Sequence, residues 1–211
     1  MSRPPIPASH LAKALGYIIN PLVLPFAVAF SIALRQGSDV AWIGAVSFGL
    51  FVAFPVGYLG WMVRSGRSVS VELTDPRERD VPYAVAAFIL LIAMLLLSAR
   101  PSEEGWFAAL VGTYGISTVL IFLVNRYWKI SAHLYGLGTA ISVLFFAPTI
   151  VFGLDTRDFA WAAFALSCLV FPLMWARVYT RAHTIAQTLA GVVSGAVLSP
   201  LIWRGLTLLL S

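Results

Sequence analysis

Apolar residues fall into long runs along this chain, separated by short polar stretches. A helix needs about 20 mainly apolar residues to cross a bilayer. Seven runs approach that length, at about 14–34, 41–63, 81–98, 106–125, 133–153, 159–176 and 184–208. The pattern therefore predicts an all-α integral membrane fold. We expect one domain over residues 1–211, a bundle of six to seven transmembrane helices with its polar site at one membrane face.

The first run contains Pro21 and Pro25, which predict a kink or a partly re-entrant segment. Six spans result if that segment only dips into the bilayer. The N-terminus has three prolines within its first seven residues, and no small-residue cleavage site follows a short apolar core. We expect it to be retained as part of the first span rather than cleaved as a signal peptide.

The composition agrees with a membrane protein, since 60% of residues are hydrophobic and only 11% are charged. Soluble domains carry about 25% charged residues. The net charge of +5 would suggest a nucleic-acid partner in a soluble protein. Here it is explained by cations in short loops, so we expect no nucleic-acid partner. Cys168 is the single cysteine, which rules out an intramolecular disulfide.

Seven alternating spans place the loops on two sides of the membrane. One side holds ten of the 14 lysines and arginines: Arg3, Lys13, Arg64, Arg67, Arg77, Arg79, Arg126, Lys129, Arg177 and Arg181. This excess predicts that the first side is cytoplasmic, although it falls to five against four when the five cations that could instead serve a site are left out: Arg77, Arg79, Lys129, Arg177 and Arg181. We expect a multi-pass protein of the plasma membrane. Seven tryptophans near the span ends predict an interface belt: Trp42, Trp61, Trp106, Trp128, Trp161, Trp175 and Trp203.

Three polar stretches converge on this more basic side: VELTDPRERDVPY (71–83), NRYWKISAHLYG (125–136) and RVYTRAHTIAQ (177–187). Arginine binds phosphate oxygens in pairs, and lysine adds a point charge. Two histidines can divide the acid and nucleophile roles near neutral pH. The candidate site residues are therefore Arg77, Arg79, Lys129, Ser131, His133, Arg177, His183 and Gln187.

The spacing of the third stretch predicts a bend. His183 and Gln187 are four residues apart, so they share one face of the last span. Arg177 and His183 are six apart, which on an unbroken helix separates them by about 600° of rotation. They can converge only if the chain bends within RVYTRA.

These residues resemble the type 2 phosphatidic acid phosphatase superfamily over about residues 70–191, which implies a phosphatase-like core at about residues 70–205. The family's last motif reads Ser-Arg, five residues, His, three residues, Asp. Here Ala176-Arg177 is followed at the same spacing by His183 and Gln187. Its Pro-Ser-Gly-His motif is similar to residues 130–133, Ile-Ser-Ala-His. Its first motif, Lys, six residues, Arg-Pro, is matched only by DPRERDVP, with Arg79 as the motif arginine and Arg77 in place of the lysine.

The resemblance implies a lipid phosphatase that uses no metal or other cofactor. His183 would attack phosphorus and form a phosphohistidine, while His133 would protonate the departing lipid oxygen. Arg77, Arg79, Lys129, Ser131 and Arg177 would hold the phosphate. The partner would be a lipid phosphate within the bilayer, either an isoprenyl (di)phosphate or a phosphatidic-acid-like lipid.

The chain departs from the family where Gln187 replaces the aspartate that orients the nucleophile. An amide can accept a hydrogen bond from the imidazole but carries no charge, so either Asp75, Glu78 or Asp80 compensates or the enzyme is slow or inactive. The alternative function is a lipid-phosphate binding or transport protein. A prenyltransferase ranks lower, because its acidic Mg²⁺-binding clusters are not found in the sequence. Gly191 and Gly195 predict close helix packing instead of chemistry.

Overall fold

The computed structural model describes residues 6–68, 78–99, 105–152 and 157–210, and all regular structure in those residues is helical. A π-helical turn at Gly49–Ala53 joins α3 to α4. The α-helices are α1 (Ile6–Ile18), α2 (Val23–Gln36), α3 (Val40–Phe48), α4 (Phe54–Arg64), α5 (Asp80–Ser98), α6 (Gly105–Asn125), α7 (Ala132–Phe152), α8 (Arg157–Cys168), α9 (Val170–Tyr179) and α10 (Ile185–Leu210).

The prediction of an all-α fold is confirmed for the described residues. Within the described residues, five helical stretches are long and apolar enough to cross a membrane: Val40–Arg64, Asp80–Ser98, Gly105–Asn125, Phe159–Tyr179 and Ile185–Leu210. The α1–α2 pair makes a sixth if the two helices are counted as one broken span. Large apolar side chains on the helix surfaces, such as Phe88, Phe171 and Leu209, are exposed. These features are compatible with a multi-pass membrane protein.

Two of the helix breaks follow directly from proline chemistry. Pro21 has no N–H to continue α1, and the side chain of Asn20 accepts a hydrogen bond from the N–H of Leu22 at 2.9 Å. The first helix therefore ends at Ile18, and a second helix begins at Val23, inside the first predicted span. Pro55 lies in the first turn of α4, where it would remove a hydrogen bond from a continuous α-helix. The π-helical turn just before it widens the backbone at that point.

The chain divides into two compact units. The first unit comprises Met1–Leu24 and Lys129–Pro200. It contains α1, α7, α8, α9 and the N-terminal part of α10, with α1 packed on α9 and α7 on α8.

Within the first unit, α7 and α10 approach each other backbone to backbone. A side chain at Gly138 would strike the carbonyl of Val192, and one at Gly195 would strike the carbonyl of Tyr135. A Cβ at Gly191 would lie 2.7 Å from the carbonyl oxygen of Ser131. Because each of these positions lacks a side chain, the two helices pack at a distance that larger residues would prevent.

A buried hydrogen bond extends the same helix contact. The hydroxyl groups of Thr139 on α7 and Ser199 on α10 are 2.7 Å apart, and both residues are fully buried. In an apolar surrounding, this hydrogen bond gives each of the two hydroxyl groups a partner that lipid chains cannot provide. Together with the glycines, it sets the register of α7 against α10.

The second unit comprises Pro25–Trp128 and Leu201–Ser211. Its centre is α6, whose N-terminal half is almost fully buried. Gly112 of α6 leaves room for Met94 and Leu206. The indole N–H of Trp203 donates to the carbonyl of Trp106 at 3.2 Å, and these two tryptophans are 1% and 4% exposed. The expectation that all seven tryptophans form an interface belt is therefore wrong for this pair, which lies in the core.

We predict that Gly195→Ala destabilises the protein by about 1–3 kcal/mol, because its methyl group meets backbone atoms of α7 that cannot rotate away. Gly57→Ala is the matched control, since nothing lies within 4 Å of the added carbon and alanine favours a helix. Thermal unfolding in detergent measures both. Equal unfolding temperatures for the two variants would contradict the close packing of α7 on α10.

Candidate functional site

The predicted bend between Arg177 and His183 is confirmed. α9 ends at Tyr179, and Arg181 then takes a left-handed backbone with φ of 56°. The N–H groups of Ala182 and His183 both donate to the carbonyl of Arg177, at 3.0 and 3.2 Å. This turn ends α9 and brings the backbone of His183 into contact with that of Arg177, six residues earlier in the chain.

The second and third polar stretches meet through the backbone. The N–H of Ser131 donates to the carbonyl of Gln187 at 3.3 Å. Ser131 is fully buried, and its hydroxyl accepts from the N–H of Leu134 at 3.5 Å, as an N-terminal cap of α7. The start of α7 therefore lies against the first turn of α10.

The two histidines and an arginine come together at this end of the first unit. The imidazole of His133 interacts electrostatically with the guanidinium of Arg177 and with the ring of His183. It also makes a hydrogen bond to the backbone of Gly16. His183 is 9% exposed, and its Nδ1 and the Nε of Arg177 are inaccessible to solvent. We call the cluster of His133, Arg177 and His183 the two-histidine cluster.

α7 and α10 both begin at this cluster. His133 is the second residue of α7, and His183 comes two residues before the start of α10. A helix N-terminus bears partial positive charge from the aligned dipoles of its peptide groups, also where side chains cap some of its N–H groups. Two N-termini beside an arginine make a place that favours an anion, and phosphate is an anion that helix N-termini commonly bind.

Gln187 has a structural partner in its own helix turn. Its side-chain oxygen accepts from the N–H of Thr184 at 3.0 Å, while the hydroxyl of Thr184 accepts from the N–H of Gln187 at 3.3 Å. This reciprocal pair is a capping box at the start of α10. The amide oxygen that was expected to orient the His183 ring is thus engaged by Thr184, and a catalytic role for Gln187 stays a prediction.

The other predicted phosphate-binding residues are placed differently. Lys129 lies in the first unit, half-buried, three residues before α7. Arg79 belongs to the second unit, where it immediately precedes α5. Arg77 lies outside the described residues, as does Asp75. The relation of the first motif to the two-histidine cluster therefore stays a prediction.

The remaining acids that were expected to compensate for Gln187 have partners in the second unit. Glu78 accepts a hydrogen bond from the hydroxyl of Ser68 at 2.6 Å. Asp80 lies 3.8 Å from the guanidinium of Arg126, and both side chains are about half exposed. An exposed pair of this kind stabilises a protein little, so it positions the start of α5 weakly.

Two features of the site were missed in the sequence. The Thr184–Gln187 capping box has a readable signature, a threonine followed three residues later by glutamine. The participation of α1 has no such signature, since Gly16 carries no side chain to mark it.

Among the described residues, no group of three histidine, cysteine, aspartate or glutamate side chains is arranged to hold a metal ion. Comparison with protein-family models, with curated proteins and with solved structures found no match to this chain. The case for its function therefore depends on the geometry of the two-histidine cluster.

We predict that Arg181→Gly stabilises the fold by about 0.5–1 kcal/mol, because glycine adopts the left-handed backbone without the cost that arginine incurs. Arg181→Ala is the control, since it removes the side chain but keeps the unfavourable backbone. Thermal unfolding of the two variants separates the effects. If Arg181→Gly unfolds at a lower temperature than the parent protein, contacts of the arginine side chain outweigh its backbone cost.

Proposed function

We propose that this chain is a membrane phosphatase that removes the phosphate or diphosphate of a lipid through a phosphohistidine, without a metal ion. The observation that carries the proposal is the meeting of His133, Arg177 and His183 where α7 and α10 begin. One imidazole can attack phosphorus while another supplies a proton, and the arginine neutralises charge on the phosphate oxygens.

In the first step, a ring nitrogen of His183 forms a bond to phosphorus as the bond from phosphorus to the lipid oxygen breaks. His133 enters this step protonated on both ring nitrogens, and it gives the proton that is not bound to Gly16 to that departing oxygen. In the second step, His133 takes a proton from water, whose oxygen attacks phosphorus and breaks the P–N bond. A lipid phosphate yields phosphate in this way, and a lipid diphosphate yields pyrophosphate. Both histidines return to their starting states.

Two further residues of the first unit, Ser131 and Lys129, are proposed phosphate contacts. Ser131 keeps its hydroxyl proton for donation, since its oxygen is the acceptor in the cap of α7. Lys129 contributes charge from the segment just before α7. The resemblance to the phosphatidic acid phosphatase superfamily implies phosphate contacts from Arg77 and Arg79 as well.

The proposed substrate stays in the membrane during the reaction. Its phosphate reaches the two-histidine cluster at the helix ends, while its apolar tail lies along the exposed apolar helix surfaces. The excess of lysine and arginine on the loops of this side supports a cytoplasmic site. The proposed membrane is the plasma membrane. Isoprenyl (di)phosphates and phosphatidic-acid-like lipids are the substrate classes.

A second candidate function is binding or transport of a lipid phosphate without hydrolysis. The observation that favours it is the capping box, in which Gln187 is neutral and its oxygen is engaged by Thr184. An aspartate elsewhere that orients a catalytic histidine contributes about four orders of magnitude in rate. A site that lacks this carboxylate would hold phosphate and turn it over slowly.

We expect phosphate release from at least one detergent-dispersed lipid in the presence of EDTA. The panel contains phosphatidic acid, phosphatidylglycerophosphate, and short and long prenyl phosphates and diphosphates. His183→Ala removes the nucleophile and should lower the rate by at least about 10³-fold, and His133→Ala should lower it by about 10²–10⁴-fold. His10→Ala, which changes the exposed histidine of α1, is the control and should keep full activity. Lack of release from every lipid would favour the binding function, and release abolished by EDTA would point to a metal-dependent enzyme.

We predict that Gln187→Asp raises kcat by about 10-fold or more, because a carboxylate stabilises the protonated imidazole as the phosphohistidine forms. Gln187→Asn is the matched control, since it has the same length as aspartate but no charge. Steady-state kinetics on the best lipid of the panel measure both variants. Equal rates for aspartate and asparagine would mean that residue 187 only caps α10.

A further inference from the structure

The first helix of the chain packs along the two-histidine cluster within the first unit. α1 contacts α9, the helix that carries Arg177. Ala12, Gly16 and Ile19 are buried at a spacing of four and three residues, so they form one face of the α1 segment. That buried face points into the unit, while Lys13 and Tyr17 beside it are exposed.

Gly16 lies in the last turn of α1, where carbonyl groups lack a donor from their own helix. The break after Ile18 therefore leaves a carbonyl oxygen available to a side chain. The imidazole of His133 makes a hydrogen bond to the backbone of Gly16. The N–H of Gly16 still bonds within α1 to the carbonyl four residues earlier, so the carbonyl of Gly16 is the acceptor and the ring of His133 is the donor.

Gly16 also makes room for the arginine of the cluster. A Cβ at this position would lie 3.4 Å from Nη1 of Arg177, which is ordinary contact distance. The guanidinium therefore packs directly against the backbone of α1. An alanine methyl group fits this space, whereas the two additional carbons of valine would displace the guanidinium.

We propose that Gly16 is a positioning residue, which orients the His133 imidazole through its carbonyl and seats the Arg177 guanidinium against its bare backbone. α1 is then the third wall of the site, beside α7 and the α9–α10 turn. Its effect on catalysis rests on the phosphatase function proposed above, but the placement of the His133 ring does not.

The first measurement observes the imidazole directly and does not depend on activity. The chain has three histidines, so ¹⁵N-histidine labelling gives three sets of ring signals, which His10→Gln, His133→Gln and His183→Gln assign. Spectra are recorded in detergent for the parent protein, Gly16→Val, Gly16→Ala, Ala12→Val and Gly57→Val. Ala12→Val enlarges the same buried face one turn away, and Gly57→Val makes the same change where nothing lies within 4 Å.

We expect Gly16→Val to move the ring nitrogen signals of His133 and to leave those of His10 unchanged. Gly16→Ala should preserve the His133 signals and unfold at a slightly higher temperature, because alanine favours the helix. Ala12→Val and Gly57→Val should leave the His133 signals in place. The proposal is overturned if Gly16→Val does not shift the His133 signals, or if Ala12→Val shifts them as far.

The second measurement is lipid phosphate hydrolysis by the same variants. Gly16→Val should lower kcat by about 10-fold or more, since a misplaced acid and cation weaken the transition state, and Gly16→Ala should retain most of it. Shifted His133 signals in a protein that hydrolyses no lipid would reject the phosphatase function and keep the positioning role. Active protein with unchanged His133 signals in Gly16→Val would keep the phosphatase function and reject the positioning role.

Discussion

The close backbone contact between α7 and α10 is the constraint on which the candidate site depends. Helices gain little from burying apolar surface against each other when the surrounding medium is lipid, so packing and hydrogen bonds must hold them. Gly138 and Gly195 permit the contact, and the Thr139–Ser199 hydrogen bond fixes its register. Because both helices begin at the same end of the unit, this register also decides that His133 and His183 meet.

Polar groups at that end of the unit are divided between structural and chemical tasks. Ser131, Thr184 and Gln187 cap the two helix starts, so the backbone N–H groups that they satisfy are not available to a ligand. The turn through Arg181 closes α9 by hydrogen bonds to the carbonyl of Arg177. The side chains of the two-histidine cluster lie beside these capped helix starts, where the proposed function places the phosphate.

Gln187 shows how one residue supports two different interpretations. In the spacing of the sequence motif it occupies the position of an orienting carboxylate, whereas in the structure it is the third residue of α10 and closes the capping box with Thr184. Both roles need the same side-chain oxygen. It can accept two hydrogen bonds, but both donors must then reach it in one side-chain conformation. The phosphatase and binding functions differ mainly in whether that oxygen also serves the His183 ring.

Hydrophobic run lengths were sufficient to predict that the described residues are helical and where most of the helices lie, because about 20 apolar residues have few other stable arrangements. Local chemistry also predicted the break at Pro21 and the bend after Arg177, since both arise from residues close in sequence. The core positions of Trp106 and Trp203 and the role of Gly16 were not predictable. They depend on contacts between residues far apart in the chain, and a glycine that acts through its backbone leaves no pattern in a sequence.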